Sequence, residues 1–564
     1  MSTRIVTRAV PIRSRLLLEQ SGIHPLLSRL YAARGITKPE EIETTLNRLL
    51  PPSTLKGAEE AARLLADALI AGKKMLIVAD YDCDGATACA VGLRALRTLG
   101  ADVDYLVPDR FTLGYGLSPE VVHLAALHKP ELLITVDNGI GSCEGVAEAK
   151  RLGMTVIITD HHLPGPVLPD ADVIVNPCQP GCSFQSKSMA GVGVMFYVML
   201  ALRSELRKRG FFVDRPEPNL ATLLDLVALG TIADVVSLDH NNRVLVAQGL
   251  ARIRKGLACA GLTALFRITG RDPARATIFD LGFALGPRIN AVGRLADMRL
   301  GIECLSTDNE APALNMVGQL DAINRERRDI EVGMQEIAEA QLAQWNIDQR
   351  TSLVLFDSAW HQGVVGILAG RIKDRHHRPT FAFAPGHEDS LRGSGRSIPG
   401  LHLRDALDLV AKRHPGMLLR FGGHAAAAGV TIPASRLTDF TTAFDAVCTE
   451  LLKPADMTHT LETDGPLESG YFSIDAVRLL NDAVWGQGFP APMFSDRFEV
   501  ISQRVLKEKH LKLVLKKGNV RFDAIRFNDA QGAPDQIHAV FQPNLNEWKG
   551  VTTVQLTLEH FESA

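Results

Sequence analysis

The chain has 564 residues, of which 46% are hydrophobic and 22% charged, and its formal net charge is −3. These values predict a soluble globular protein of more than one domain. No stretch reaches the roughly 18 apolar residues of a membrane span, and residues 1–11 lack the apolar run of a secretory signal. We therefore expect no membrane association.

Eight cysteines are scattered along the chain, which argues against a disulfide scaffold and favours a cytoplasmic protein in a reducing compartment. Cys178 and Cys182 have a loose zinc-like spacing. Because no second pair accompanies them, we interpret them as free thiols.

The first 70 residues are predicted to be helical, and strands alternate with helices from about 74 to 176. Three short apolar runs in this part, at 74–79, 131–136 and 154–159, read as buried strands of a parallel sheet. They are followed directly by Asp80-Tyr81-Asp82-Cys83-Asp84-Gly85, Asp137-Asn138-Gly139 and Asp160-His161-His162. Ligands of such sheets bind outside the carboxyl ends of the strands.

The acidic and imidazole side chains should therefore converge on one crevice, where unneutralised anions would raise one another's pKa values. Bound divalent cations are the simplest remedy, and this donor set suits manganese, magnesium or zinc. Asp and Asn after a strand are also ordinary turn formers and N-caps. That alternative explains one strand end more easily than three.

A mostly apolar stretch at 225–235 carries Asp225 and Asp234. A carboxylate set among apolar neighbours needs a partner, so Asp234 fits the same site. Two cations held close together require a shared carboxylate. Asp137, alone at the end of the central strand, is the best candidate for that role.

Further along the chain, the pattern at 321–345 predicts one long amphipathic helix that connects two globular halves. A smaller α/β unit follows, with strands at 352–356 and 380–383 around a helix at 363–375. From about 461 the chain is strand-rich, and five predicted strands fit a small barrel such as an OB-fold. Such barrels commonly bind single strands, although a β cap without a binding role is the alternative.

The segment from His361 to His424 is basic although the whole chain is slightly acidic, with ten Lys/Arg against five Asp/Glu. Arg396 lies within the Gly/Ser-rich sequence 393–397. Backbone N–H groups and a guanidinium together suit a phosphate.

Together these motifs resemble the DHH phosphoesterase superfamily and, within it, the RecJ-type exonucleases specific for single-stranded DNA. The resemblance rests on the three strand-end motifs, on Gly230-Thr231-Ile232-Ala233-Asp234, and on 393–397 and 422–429, which resemble the DHH-associated domain. It implies N-terminal helices and a DHH domain over 1–320, a connecting helix over 321–345, a DHH-associated domain over 346–455 and an OB-like domain over 456–564.

The resemblance also implies two ligand sets for Mn²⁺ or Mg²⁺. Asp80, Asp82 and Asp137 would hold one ion, and the other would be held by Asp84, Asp137, His161 and Asp234. His162 would act on the substrate phosphate or the leaving oxygen, and Asp160 would orient a ligand histidine or serve only the turn. Pyrophosphatase members have a histidine where this chain has Val78, which argues against pyrophosphatase activity and makes Asp80 the substitute ligand.

The resemblance also implies a DNA site that binds a 5′ phosphate and the adjoining strand. Its residues are Arg110, Tyr115, Arg288, Asn290, Ser394, Arg396 and His424. For Arg288 an internal ion pair is the alternative. Tyr115 could also stack on a base.

The resemblance implies a 5′-to-3′ exonuclease that releases 5′-mononucleotides from single-stranded DNA by a two-metal mechanism, in DNA repair and recombination. We also expect a monomer that works with a single-strand-binding protein and a helicase. Two rival hypotheses are a phosphodiesterase for oligonucleotides or cyclic dinucleotides and a non-catalytic replication scaffold of the same fold. The C-terminal strands favour a polymeric substrate, and the intact ligands argue against a scaffold.

Overall fold

The computed structural model describes residues 3–564. Contacts divide the chain into two compact units. The larger unit is formed by 7–322 and 463–564, and the smaller one by 323–462 with the described residues up to 6.

A five-stranded parallel sheet forms the centre of the larger unit. In spatial order its strands are Val103–Leu106, Met75–Ala79, Leu132–Val136, Thr155–Thr159 and Val173–Val175. The three central strands are buried almost throughout, as their continuous apolar sequences predict. Because the chain order reverses beside Met75–Ala79, the sheet has a crevice at the carboxyl ends of its first and third strands in sequence.

Helices cover both faces of this sheet. Leu76 and Leu133 pack with Val122 and Val146 on one face, and Ile77 on the other lies against the helix Cys83–Thr98. The α-helices of residues 7–322 are Ile12–Gln20, Pro25–Ala32, Ala58–Ile70, Cys83–Thr98, Pro119–Ala126, Cys143–Arg151, Gly191–Lys208, Leu224–Ala233, His240–Arg254, Ala260–Ile268, Gly286–Leu295 and Arg299–Ser306.

The long helix predicted at 321–345 runs from Glu310 to Leu342. It begins earlier than predicted, and Pro312 falls in its first turn, where proline is tolerated. The boundary between the two units falls inside this helix, after residue 322.

The smaller unit contains a second five-stranded sheet. Its strands in spatial order are Arg420–Gly423, Ala427–Pro433, Ser390–Arg396, Thr380–Pro385 and Leu353–Phe356, and only the last two pair in parallel. Its helices are Val365–His376, Leu403–Arg413 and Leu437–Leu451, and Thr3–Thr7 forms a two-stranded sheet with His459–Thr463.

The strand Ser390–Arg396 has glycines at alternate positions, and the alternation of its side chains between the two faces of the sheet explains them. A Cβ atom at Gly393 or Gly395 would lie 2.4 Å from the ring of Phe383 or Phe381. The glycines therefore make room for a phenylalanine core, and the residues between them point to the opposite face.

The C-terminal strands close into the barrel that the sequence predicts. They are Phe494–Leu506, His510–Lys517, Val520–Arg526, Gln536–Trp548 and Val551–Ser563, preceded by the helix Ile474–Asp482. Parallel pairing of Val520–Arg526 with Val551–Ser563 completes the closure.

All eight cysteines, each within the described chain, are free thiols. Among residues 3–564 no helix has both the length and the hydropathy to cross a membrane.

Candidate metal centre and its surroundings

Three aspartates follow the first strand of the larger sheet. Asp80 is buried directly after the strand, and Asp82 caps the next helix by accepting a hydrogen bond from Gly85 N at 3.0 Å. A Cβ atom at Gly85 would lie 2.6 Å from the carbonyl oxygen of Asp80, so this tight loop needs glycine. Burial, and then the charge of Asp82, raise the pKa of Asp80 well above its ordinary value.

Asp84 is anchored to a distant helix. Its two carboxylate oxygens accept hydrogen bonds from Gly191 N at 2.6 Å and Val192 N at 2.9 Å. These amides begin the helix Gly191–Lys208, and the N-terminus of a helix favours a negative charge. Burial nevertheless raises the pKa of Asp84 to about 7, with Asp82 as the next cause.

Asp137 lies at the end of the central strand in a left-handed conformation, with φ of 63°. A Cβ atom at Gly191 would lie 2.7 Å from the Cβ atom of Asp137, so the helix approaches this closely only with glycine there. Burial raises the pKa of Asp137 well above its ordinary value, and the charges of Asp84 and Asp82 add to the effect.

His161 connects the remaining carboxylates. Its Nε2 atom lies 3.1 Å from an oxygen of Asp137, 3.5 Å from one of Asp234 and 3.8 Å from one of Asp84. Asp234 follows the helix Leu224–Ala233 as its C-terminal cap residue. Burial, and then Asp84, raise its pKa.

The potential ligand atoms fall into three overlapping groups, each with all its atoms within 4.8 Å of one another. They are Asp80 with Asp82 and Asp137; Asp84 with His161 and Asp234; and Asp137 with His161 and His162. Buried oxygens of Asp137 and Asp234 accept no hydrogen bond from any described residue. Crowded anions with unsatisfied oxygens beside an imidazole fit divalent cations.

His162 is bonded to Asp160 rather than to the carboxylate cluster. Its Nδ1 atom lies 2.7 Å from Asp160 Oδ1, and Asp160 also accepts bonds from the backbone N–H groups of Ile140 and His161. Burial works against protonation of His162, but the hydrogen bond to Asp160 and the charges of Asp160, Asp80 and Asp82 together outweigh it and raise the pKa of His162. The side chain that Asp160 contacts is therefore that of His162, whereas the sequence suggested that Asp160 orients a ligand histidine.

Tyr115 reaches the same place from the loop after Val103–Leu106. Its hydroxyl donates to the carbonyl oxygen of Asp137 at 3.1 Å and lies 3.1 Å from His162 Nδ1. Half of the Tyr115 side chain is exposed. This hydroxyl therefore joins the end of the central strand to the histidine.

Arg110, Arg288 and Asn290 also belong to the larger unit. The Arg110 guanidinium lies over the ring of Tyr81, 4.4 Å from its centroid, beside a cleft of about 130 Å³. Arg288 forms an internal ion pair, the alternative considered for it, with 2.8 Å between its Nη2 atom and Asp321 Oδ1. The side chain of Asn290 accepts a hydrogen bond from Cys83 N at 2.8 Å.

Ser394, Arg396 and His424 lie in the smaller unit. A Cβ atom at Gly366 would lie 2.9 Å from Ser394 Oγ and 3.0 Å from Arg396 Nη2, which places both side chains beside the first turn of the helix Val365–His376. Burial lowers the pKa of Arg396. His424 is exposed in the turn after Arg420–Gly423, and its N–H donates to Ala427 O at 2.8 Å.

Sequence reasoning missed the backbone groups that hold the centre together. The amides of Gly191 and Val192 position Asp84, and Asn290 supports the loop from the other side. The small-residue segment at 189–194, which opens a helix, was the available signal, but nothing local in it indicates that its partner is Asp84.

The fold and the centre together define a phosphoesterase of the DHH class. Residues 74–231 match the DHH family, N-terminal domain, residues 349–450 match the DHHA1 domain, and residues 463–560 match the RecJ OB domain. The single-stranded-DNA-specific exonuclease RecJ of Salmonella typhimurium is 47% identical over 555 residues, which cover 96% of each protein. The chain belongs to the RecJ family, as its motifs predict.

Two solved structures share the whole fold. The crystal structure of RecJ in complex with Mn²⁺ from Thermus thermophilus superposes with a TM-score of 0.84 at 30% identity, covering 100% of this chain and 80% of that one. The corresponding complex with Mg²⁺ gives a TM-score of 0.78 at 28% identity, with coverages of 100% and 79%. These matches confirm the predicted fold class.

Proposed function

We propose that the protein is a metal-dependent exonuclease that hydrolyses single-stranded DNA from its 5′ end and releases 5′-mononucleotides, in DNA repair and recombination. The observation that carries the proposal is the buried carboxylate and histidine cluster at the carboxyl edge of the sheet. Family membership supplies the substrate class, because relatives of nearly equal length are single-stranded-DNA-specific exonucleases.

The ligand sets remain those that the sequence indicates. Asp80, Asp82 and Asp137 are proposed to hold one Mn²⁺ or Mg²⁺, and Asp84, Asp137, His161 and Asp234 the other. The proximity of these side chains and the metal complexes of the Thermus thermophilus relative support this assignment. When bound, such ions polarise the phosphodiester and lower the pKa of the attacking water.

The proposed catalytic contribution of His162 depends on Asp160. With the Nδ1 proton bonded to Asp160, a proton at Nε2 is the one that His162 can donate to the leaving oxygen. Asp160 fixes this orientation through the backbone as well as the side chain. Asp137 contributes to catalysis by holding both ions.

The proposed DNA-binding residues keep their predicted assignments. Arg110 and Tyr115 border the centre, and Ser394 and Arg396 present a hydroxyl and a guanidinium beside a helix N-terminus, which suits a terminal phosphate. Arg288 would have to exchange Asp321 for DNA phosphate. The remaining members of the proposed set are Asn290 and His424.

Comparison of the two ends of labelled DNA tests the polarity. Single strands labelled at the 5′ or the 3′ end are incubated with Mn²⁺ or Mg²⁺, together with blunt duplex as a control. We expect 5′ label to be released first and as mononucleotide, with little duplex cleavage. Early release of 3′ label, or equal cutting of duplex, would refute the proposed polarity or strand preference.

The wider setting is also proposed. We propose a cytoplasmic monomer that acts with a single-strand-binding protein and a helicase, with the domain limits 1–320, 321–345, 346–455 and 456–564. The free thiols are compatible with a reducing compartment. Sedimentation of the purified chain and co-purification with a single-strand-binding protein test the assembly.

A further inference from the structure

Two phenylalanines project into solvent from the segment between the helices Ala260–Ile268 and Gly286–Leu295. Phe279 is 55% and Phe283 68% exposed. Their rings are stacked on each other, with centroids 4.9 Å apart and planes 23° apart. Exposed aromatic rings held together in this way mark an interaction surface more often than an isolated exposed side chain does.

The surrounding residues hold this aromatic pair in place. Phe283 lies in a π-helical turn, Asp280–Leu285, and such turns occur frequently at functional sites. Asp280 accepts hydrogen bonds from the N–H and hydroxyl groups of Thr277, both at 2.8 Å. It also forms an ion pair with Arg271 at 3.0 Å. The guanidinium carbon of Arg271 lies 5.7 Å from the ring centroid of Phe279, so a cation flanks the pair.

The turn that carries Phe283 packs beside the metal centre on one side. A Cβ atom at Gly282 would lie 3.2 Å from a methyl group of Ile232, and one at Gly286 3.2 Å from the Cβ atom of Ala233. Ile232 and Ala233 directly precede the proposed ligand Asp234. The π-helical turn therefore packs against the end of the helix that presents this ligand.

The same segment meets the barrel on its other side. Arg275 donates a hydrogen bond of 2.8 Å to Glu547, near the end of the strand Gln536–Trp548. Residues 271–286 thus connect the edge of the barrel to the edge of the metal centre within one compact unit. A strand that bound both the barrel and the centre would pass this segment.

We propose that Phe279 and Phe283 stack on successive bases of single-stranded DNA and guide the strand between the barrel and the metal centre. This inference rests on the proposed function and adds a specific contact to it. Aromatic rings stack on any base, and the nearby guanidinium suits the strand's phosphates or a base face. The contact would need unpaired bases, so it would also contribute to discrimination against duplex.

Abasic nucleotides test this contact because they remove a base and keep its phosphate. A pair of abasic positions is moved stepwise along a 5′-labelled strand, and kcat/KM for release of the label is measured with Mn²⁺. In the unsubstituted chain we expect one window of positions where the abasic pair lowers kcat/KM, by about 30-fold or more for two lost stacking contacts. In the double variant Phe279→Ala/Phe283→Ala, intact DNA should show the same loss, and the abasic window should disappear.

Two further variants separate stacking from general apolar contact. Phe279→Leu/Phe283→Leu keeps apolar side chains but no ring, so it should behave like the double alanine variant. Leu127→Ala removes another apolar side chain, 76% exposed, from the same unit and should behave as the unsubstituted chain does.

A flat abasic profile in the unsubstituted chain, an unchanged window in the double alanine variant, or full activity of the leucine variant would overturn the inference. Failure of the unsubstituted chain to release 5′ label from an intact strand would instead overturn the proposed function, and the inference with it. The two failures are therefore distinguishable by the first lane of the experiment.

Discussion

Asp137 is the residue on which the two proposed ligand sets converge. It belongs to the group with Asp80 and Asp82, and one of its oxygens lies 3.1 Å from His161, which approaches the other carboxylates. Its left-handed backbone conformation directs the side chain there and has a conformational cost. The contact with Gly191 helps to hold this conformation in place. Both the backbone strain and the charge repulsion at Asp137 are consistent with its proposed role in binding metal.

Substitution Asp137→Asn should separate stability from function. The amide keeps the size of the side chain but removes a buried charge, so we expect the free energy of unfolding of the metal-free protein to rise while bound metal and turnover fall to background. Denaturant unfolding and metal content per chain measure the two effects. Full metal content with normal turnover would contradict the bridging role.

The adjacent histidines should respond differently to alanine. His162→Ala should keep most of the metal and lose turnover by about 10²–10⁴-fold, the range for a lost acid–base or electrostatic group. His161→Ala should lose metal as well. Titration with manganese checks the assignment, since rescue of His162→Ala but not of His161→Ala would mean that the two roles are reversed.

At this scale the sequence predicted which side chains converge better than it predicted the residues that support them, and their role as metal ligands stays a prediction. Asp80, Asp137 and His161 follow strands that are short and buried, so their convergence follows from the sheet alone. Asn290 and Arg288 instead contact Cys83 and Asp321, and no local pattern specifies such pairings.

The helix Gly191–Lys208 is the element that makes the cluster compact. Its first amides bind Asp84 and its first glycine contacts Asp137, so it fixes proposed ligands from two different strand ends. Helix geometry therefore controls the metal centre although the helix supplies no ligand.

Gly191→Ala should consequently weaken metal binding although it replaces none of the proposed ligands. The new methyl group would meet backbone-linked atoms of Asp137 at 2.7 Å, and either the strand end or the helix must shift. We expect loss of metal affinity and a lower melting temperature. Gly318→Ala is the matched control, because no atom lies within 4 Å of its added methyl group and alanine favours a helix by about 0.4–1 kcal/mol.

The two faces of the strand Ser390–Arg396 also differ in role. Its glycines pack against Phe381 and Phe383, and its polar residues lie on the other face. Arg396→Ala should weaken binding of 5′-phosphorylated ends more than that of 5′-hydroxyl ends, because charge-assisted contacts to phosphate are strong and directional. Arg404→Ala, an exposed arginine of the same unit, is the control. Equal loss for both kinds of end would contradict a terminal-phosphate role for Arg396.

For the whole molecule, the buried carboxylates couple metal binding to stability and pH. The folded pKa values of Asp80, Asp137 and Asp234 are raised, mainly by burial, so the metal-free fold binds protons more tightly than the unfolded chain does. The resulting stabilisation is present below the unfolded pKa values and is lost as the pH rises through the folded ones.

Metal-free protein should therefore become less stable as the pH rises from about 4 through the pKa of about 7 that burial gives Asp84, and saturating Mn²⁺ should remove most of this decline. At a metal concentration 100 times the dissociation constant, binding adds about 2.7 kcal/mol for one site. Unfolding curves with and without a chelator measure the difference. Parallel pH profiles in the two conditions would contradict the coupling.

At the same scale the sequence predicted five C-terminal strands but not the way the barrel closes. Each strand is visible in its own residues, whereas closure depends on parallel pairing of Val520–Arg526 with the distant Val551–Ser563. The start of the helix Glu310–Leu342 was also missed, although the buried residues Ala313, Val317 and Leu320 already have helical spacing.

The spread of the ligands along the chain, from Asp80 to Asp234, has a consequence for synthesis on the ribosome. A nascent polypeptide that has emerged only as far as the third strand end has most of the carboxylates but lacks Asp234 and the helix that carries it. The contacts that bring Asp234 to the strand ends join residues far apart in the sequence, and such contacts form late. An unfinished chain therefore cannot assemble the complete centre, so cleavage of nucleic acid must wait until this half of the protein has folded.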